Sequence, residues 1–350
     1  MHSISLAVAA AALVSFGLAG AIVLTAGRHG RFSMDVPGAV QCFHARPTPR
    51  IGGLALYVAL LLALGWVNDT ESSRIVATIL LAGLPALAVG LGEDITKSVG
   101  IRARLLSTLA SAGLACWAGG TMLTRIDVPW IDPLLATAPV AFAFTVFAVS
   151  GLSNAVNMID GFHGLASGTT TLCLLALAGV AAAAGDGSLA LSAAILAAAI
   201  AGFWLVNFPW GKLFLGDGGA YFAGFALAWI AVLLPTRNPS VSPWASLLIC
   251  GYPVLEALYS IARRSFRLQS PGRADRAHLH SLVAMRVVQR RLRGVDPTWQ
   301  NAAVSVVMWI CAAIPALAGV TFYRHTPSLA LSAFGCLLLY HCLYRRLARP

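Results

Sequence analysis

From Ser5 to Ala26 the chain carries apolar or small residues on every face a helix would present, with no charged side chain to turn toward water, and the stretch from Asn301 to Phe322 does the same. A helix of a soluble protein keeps a polar face. One that is apolar all round and about 20 residues long matches the roughly 30 Å hydrocarbon core of a bilayer. The composition agrees: 58% of the residues are hydrophobic and 11% charged, with a mean hydropathy of +0.79. Soluble Rossmann, TIM-barrel and repeat architectures are thereby excluded. The runs are too long and too rich in Leu and Ala for the alternating strands of an outer-membrane barrel, so each span is expected to be an α-helix that satisfies its own backbone hydrogen bonds.

The hydrophobic pattern predicts an all-α polytopic bundle of about eleven transmembrane helices, with ten as the alternative count. They are expected near 4–27, 51–67, 75–92, 105–123, 137–153, 165–184, 188–206, 220–235, 244–262, 302–322 and 327–343. Residues 1–350 read as a single transmembrane domain, and the first span lacks the basic flank and cleavage signal of a removable leader. With the amino terminus outside, the segments facing inward hold 20 of the 24 Lys and Arg residues, leaving Arg74, Arg125, Arg237 and Arg324 on the other face. The positive-inside rule selects that orientation, with the carboxyl terminus inside. It also accounts for the formal charge of +11 through topology and anionic headgroups, so no nucleic-acid partner is expected. The seven cysteines form no CxxC pair and read as packing residues. The longest inner loop, 263–301, is expected to carry a basic surface helix from about His280 to Arg293 resting on headgroups.

Polar groups gather against the apolar trend at five places, all on the inner face. In HARPTPRIGG, Arg46 and Arg50 are placed to meet phosphate, and Gly52-Gly53 let the next helix begin close to a neighbour or ligand. In GLGEDITKSVGIRAR, the adjacent carboxylates Glu93 and Asp94 at a membrane mouth call for a neutralising cation, and Lys97, Arg102 and Arg104 follow. In SNAVNMIDGFHG, Asn154, Asn157 and Asp160 recur every three residues to form a polar stripe, with His163 beside it. In GKLFLGDGGAYF, Asp217 lies between glycines with Lys212 five residues before it, and no Walker A loop is present. In GRADRAHLHSLV, Arg276, His278 and His280 lack the spacing of a zinc site and suit hydrogen bonding or proton transfer to a phosphorylated substrate. Each place has a plainer reading as a solvated anchor loop. Three amides or carboxylates in one otherwise apolar helix end are the hardest to explain that way.

Taken in order, PTPRIGG, Glu93-Asp94, NAVNMIDGFHGL, FLGDGGAYFAGF and the HLH of the last long loop resemble the polyprenyl-phosphate N-acetylhexosamine-1-phosphate transferases. That family includes the initiating enzymes of enterobacterial common antigen and O-antigen, and the phospho-N-acetylmuramoyl-pentapeptide transferase. Two positions depart from the family pattern: Glu93 where Asp is common, and His163 where a second acid is common. The resemblance implies a bacterial inner-membrane transferase with its site on the cytoplasmic face. Its partners would be undecaprenyl phosphate, a UDP-N-acetylhexosamine and membrane lipids, and a homodimer is compatible with it. It implies Mg²⁺, with Mn²⁺ as the alternative ion, held by Asp217 and Asn157. Asp94 with Glu93 would orient or deprotonate the lipid phosphate, and Asp160 and Asn154 would hold the nucleotide or support the metal ligands. His163 would help hold the nucleotide sugar, and Lys212, Lys97, Arg46, Arg50, Arg276, His278 and His280 would neutralise or hydrogen-bond phosphate. The envelope-polysaccharide branch fits better than the pentapeptide branch, because HLH is not a contiguous histidine run. A polytopic transporter, or a non-catalytic relative that only binds polyprenyl lipid, are the alternatives from other classes.

The charge split predicts that Asp275→Cys is not labelled by a membrane-impermeant maleimide added outside intact cells, but is labelled after permeabilisation. Efficient labelling from outside would reverse the orientation.

Overall fold

A computed structural model describes residues 2–35, 47–266 and 277–349 of the chain. The order of elements is α1 (His2–Leu24), α2 (Ala26–Ser33), β1 (Met34–Asp35), β2 (Thr48–Pro49), α3 (Gly52–Leu64), α4 (Thr70–Thr96), α5 (Ile101–Gly119), α6 (Asp132–Leu135), α7 (Ala138–Met158), α8 (Leu165–Ala183), α9 (Gly187–Asn207), α10 (Gly216–Arg237), α11 (Pro243–Ile249), α12 (Gly251–Phe266), α13 (Leu279–Val283), a π turn (Ala284–Val288), α14 (Gln289–Arg291), α15 (Pro297–Thr321) and α16 (Thr326–Ala348). Among the described residues the only sheet is the two-residue antiparallel ladder β1–β2, pairing Met34 with Pro49 and Asp35 with Thr48.

Helix occupies each of the eleven expected stretches, but among the described residues eight helices are long and apolar enough to cross a membrane, or nine if α11 and α12 form one span. α3 is apolar yet has 13 residues, and α5 begins with Arg102 and Arg104 in its first turn. The stretch expected as one straight span over 244–262 is two helices bent by 80° at Cys250. Pro253 explains the break, since its ring clashes with the carbonyl four residues back and it has no N–H to give. That carbonyl, of Ile249, accepts instead from the Cys173 thiol at 3.0 Å. Pro85 inside α4 is handled in a similar way: the Ala86 amide donates to Ser111 Oγ of α5 at 3.1 Å. Exposed tryptophans stand at both ends of the bundle, Trp66, Trp117 and Trp130 at one and Trp210 and Trp299 at the other, where amphipathic rings suit the headgroup level.

α10 is the axis of the bundle. Nearly all of its residues are buried, and it packs on α3, α4, α5, α7, α8, α9 and α11. Its first turn, GDGG, is what lets three helices meet. A Cβ on Gly53 of α3 would lie 2.5 Å from Gly219 Cα, and one on Gly90 of α4 would lie 2.5 Å from Gly218 Cα. The glycines of this segment therefore serve helix contact rather than the approach of a phosphate or metal to backbone. At the far end, Arg237 closing α10 donates to Asp186 (2.7 Å) at the start of α9 and to Glu71 (2.6 Å) in the first turn of α4. Acids at two helix starts and a base at a helix end also suit the helix dipoles.

Gly53→Ala is expected to abolish recovery of monodisperse protein in detergent, because backbone rather than a movable side chain opposes the new methyl. Gly179→Ala in α8, where a Cβ meets nothing within 4 Å, should keep or raise the melting temperature, since glycine in a helix costs about 0.5–1 kcal/mol relative to alanine. Size-exclusion profiles and thermal melts of the two variants make the comparison.

Candidate active site

The loops and helix ends that carry the five polar places gather at one end of the bundle, around the start of α10. The N-cap position of α10, Leu215, offers no side-chain acceptor to the free amides that follow. Asp94, from the end of α4, supplies it from another helix. Its Oδ1 accepts from Asp217 N at 2.8 Å and its Oδ2 from Gly218 N at 3.0 Å, while Arg50 Nε lies 2.9 Å from Oδ1. A carboxylate in this place satisfies two orphan donors and also meets the positive end of the helix dipole. Gly216 has a φ of +71°, and a Cβ there would strike the Arg50 carbonyl and sit 2.5 Å from Asp94 Oδ2, so only glycine allows the approach.

Arg50 is delivered by a short backbone ladder. Its amide donates to Ser33 O at 2.9 Å, and Phe214 N donates to Pro49 O at 2.9 Å. Gly52 N and Gly53 N donate to Phe214 O and Leu215 O, both at 3.0 Å, so the PRIGG segment is stitched directly to the turn before α10. The guanidinium then reaches Asp217 Oδ1 through Nη2 at 3.2 Å and Asp35 Oδ1 through Nη1 at 3.7 Å. Burial opposes the charge on Arg50, but Asp94, Asp217, Asp35 and Asp160 together hold its pKa above the usual value. Asp217 itself is buried and takes three donors: Arg50, Arg104 Nη1 on Oδ2, and Asn157 Nδ2 on Oδ1 at 3.2 Å. Asp160, just beyond the end of α7, is pushed up to about 7, first by burial, with Asp217 and Asp94 adding to the shift and Arg50 opposing it.

This cluster joins expected residues (Arg50, Asp94, Asn157, Asp160, Asp217) with two that the sequence reading left out of the site, Arg104 and Asp35. A signal for Arg104 was present. Arg104, Ser107, Thr108 and Ser111 recur at helical spacing, and the last three are buried in α5. Asn154 lies on the same side, donating to Thr108 Oγ1 at 2.9 Å and to Ser150 O at 2.8 Å, which fastens α7 to α5.

The acidic pair behaves differently from the expectation. Asp94 is fully buried, and both its oxygens are engaged in holding the backbone of Asp217 and Gly218 at the first turn of α10. Glu93 is half-buried, and its Oε2 accepts from Val99 N at 2.7 Å, closing the turn after α4 with the reach its extra methylene gives. Lys97 ends α4 in a left-handed conformation and gives its ammonium to the Asp94 carbonyl at 2.7 Å. Partial burial lowers its pKa.

His163 is buried. Its amide donates to Asn301 Oδ1 (2.7 Å), its carbonyl accepts from Ser305 Oγ (2.7 Å) and its Nδ1 lies 2.9 Å from Pro209 O, which locks the loop after α7 to α15 and to the turn before α10. Lys212 is exposed, with its ammonium 5.1 Å from the centre of the Trp210 ring. Arg46 and Arg276 lie outside the described residues.

A second group stands beside the first. His278 and His280 are both buried, with rings stacked 5.2 Å apart at 5°, and Phe162 of the NMIDGFHG loop meets the His280 ring edge-on at 5.6 Å. Both imidazoles face Glu256 of α12, with Nδ1 atoms 3.2 Å and 3.7 Å from its two oxygens. Glu256, read from the sequence only as an acid inside a span, is 1% exposed and belongs to this group. Helix 279–291, expected as a surface helix, buries Leu279 through Ala284, and only its later turns, with Arg290 and Arg291, are exposed.

The comparisons with known proteins bear on this end of the molecule. The model of glycosyl transferase family 4 matches residues 76–235, a span that contains Glu93, Asp94, Arg104, Asn154, Asn157, Asp160, His163, Lys212 and Asp217. The chain is 27% identical over 318 residues to the undecaprenyl-phosphate alpha-N-acetylglucosaminyl 1-phosphate transferase of Yersinia pestis, covering 87% of this chain and 83% of that protein. It is 26% identical over 241 residues to a probable undecaprenyl-phosphate N-acetylglucosaminyl 1-phosphate transferase of Bacillus subtilis, covering 68% of this chain and 66% of the relative. It is also 28% identical over 301 residues to the phospho-N-acetylmuramoyl-pentapeptide-transferase of Desulfitobacterium hafniense, covering 79% and 84%. The apolar helices, the order of the motifs and these matches agree: the chain is a polytopic membrane enzyme whose residues 76–235 are similar to glycosyl transferase family 4.

Proposed function

We propose that the protein transfers N-acetylglucosamine-1-phosphate, or a closely related N-acetylhexosamine-1-phosphate, from its UDP-sugar to undecaprenyl phosphate at the cytoplasmic face of a bacterial inner membrane. The observation that carries this reading is Asp217, held at the start of the central helix by Asp94 and flanked by Arg50 and Arg104. A phosphate oxygen of the lipid attacks the β-phosphorus of the UDP-sugar. The bond from that phosphorus to the bridging oxygen breaks, UMP leaves, and a polyprenyl-diphospho-sugar remains. One diphosphate linkage replaces another, so the protein's contribution is positioning and charge neutralisation.

The donor set suits Mg²⁺, which is commonly held by one or two protein carboxylates with substrate phosphates and water completing its shell. Asp217, with the Asn157 amide turned to present its oxygen, would hold the ion, which supplies charge neutralisation on the diphosphate. Among the described residues no three-ligand cage competes with that arrangement. Arg50 and Arg104 bring two guanidiniums whose planar forks match phosphate oxygens. The ring of His280, stacked on His278, meets Phe162 of the loop that carries Asp160, and both histidines are assigned to the diphosphate. Asp160, Asn154 and His163 shape the nucleotide side, and the exposed Lys212 and Lys97 attract the anionic substrates at the mouth.

Purified protein given undecaprenyl phosphate, Mg²⁺ and a panel of radiolabelled UDP-sugars should move label from UDP-N-acetylglucosamine into lipid extract and release UMP. Label moving only from UDP-N-acetylmuramoyl-pentapeptide would assign the protein to the other branch, and label moving from no donor would overturn the reading. Asp217→Asn should abolish turnover at every Mg²⁺ concentration while the protein still purifies as a folded species.

Asp94→Asn turns one amide hydrogen against a backbone N–H and removes a charge from Arg50. It should cost about a hundredfold in turnover and lower the melting temperature. Glu93→Gln keeps the oxygen that Val99 needs and should lose less than about fivefold, an effect of roughly 1 kcal/mol. Equal losses at the two positions would remove the distinction drawn between them.

A further inference from the structure

Glu256 is a carboxylate on the buried face of α12, 1% exposed, where an ionisable group is expensive unless it is partnered and used. The fold alone does not require it, because a well-packed apolar residue would hold α12 at least as well. What it does touch is specific. Oε1 accepts from the Leu279 amide at 2.9 Å and lies 3.2 Å from His278 Nδ1; Oε2 lies 3.7 Å from His280 Nδ1. The Tyr252 hydroxyl is 3.3 Å from the same His280 nitrogen. From the far side, the Tyr344 hydroxyl of α16 donates to Ala277 O at 2.9 Å and fixes the residue before the pair.

We propose that Glu256 is a positioning residue for the transfer reaction: it orients both imidazoles through their Nδ1 atoms so that both Nε2 atoms are presented to the substrate diphosphate. This rests on the assignment of His278 and His280 to the diphosphate made above. A carboxylate only accepts, so the His278 nitrogen facing it carries the proton, and the tautomer and ring orientation follow from that single fact. The nearly parallel rings put the two Nε2 atoms on the edge away from the acid. No hydrogen-bond partner is found for either Nε2 among the described residues. With the carboxylate as counter-charge behind it, a ring that meets a phosphate oxygen would donate to it through Nε2–H. The bend at Cys250 aims α12, and hence Glu256, at this pair.

A latch and a positioning residue are separated by Glu256→Gln. The amide oxygen of glutamine still accepts from Leu279 N, so a latch survives. Its NH₂, however, replaces the oxygen that faces His280 Nδ1, so that ring meets a donor where it had an acceptor and the pair loses the negative charge behind it. The expected result is a fall in kcat of about a hundredfold, with the melting temperature within a few degrees of wild type. Glu256→Asp keeps the charge but is one methylene too short to serve both rings, and is expected to lose about tenfold. It also carries the test should the glutamine variant not purify as a single species.

The decisive measurement compares the double-histidine variant with the triple variant. In a His278→Ala, His280→Ala background, which should itself be slowed by about a hundredfold, adding Glu256→Gln should change the residual turnover by less than about twofold, since its effect runs through the two rings. Near-wild-type turnover in Glu256→Gln beside a slow histidine variant would overturn the positioning role and leave the diphosphate assignment standing, as would a further tenfold loss in the double-histidine background. Full activity without the two histidines would overturn the assignment itself, and the proposal with it.

Discussion

A single carboxylate, Asp94, holds the end of one helix to the beginning of another. Helix α10 starts deep in the bundle, away from water that would otherwise satisfy its first amides, and Asp94 reaches across from α4 to take two of them. Buried carboxylates are expensive alone, and this one is matched by Arg50, whose own position is fixed by backbone bonds to Ser33 on one side and to the Phe214 turn on the other. The chain of dependence runs from the PRIGG segment to Arg50, from Arg50 to Asp94, from Asp94 to the first turn of α10, and from that turn to the Asp217 side chain.

The architecture around this point divides the labour between two charged groups. One centres on Asp217 with Arg50, Arg104 and Asn157, and is assembled from α3, α4, α5, α7 and α10. The other centres on Glu256 with His278 and His280, and is assembled from α12 and the segment that follows it. The loop after α7 lies between them, contributing Asp160 to the first group and Phe162 to the second. His163, beside it, anchors that loop to the last third of the chain through Asn301 and Ser305.

Much of this was legible in the sequence because a bilayer leaves few options. Apolar length gives the helices, and polar residues that resist the trend point to the end of the bundle where they gather. Asp217, Asn157, Asp160, Arg50 and the two histidines were found that way. Three things were hidden. The trans cap by Asp94 depends on which helix ends meet, and no local spacing carries that information. The bend at Cys250 depends on Pro253 acting within a run that is apolar throughout, so hydropathy passes over it. Glu256 was visible as an anomaly, but its partners lie more than twenty residues away along the chain, beyond what periodicity can join.

The glycine contacts at the start of α10 bear on how such a site can persist while the sequence around it changes. Where Gly53, Gly90, Gly218 and Gly219 meet, helices touch backbone to backbone, so the separation of the elements bearing Asp94, Arg50 and Asp217 is set by main-chain dimensions and not by the size of any side chain. Side chains facing lipid on the outer helices can then be exchanged freely without altering a distance in the site. A methyl group added at any of these four glycines would therefore move a whole helix, and with it a charged group of the site, whereas a change of side chain on the outer face would not.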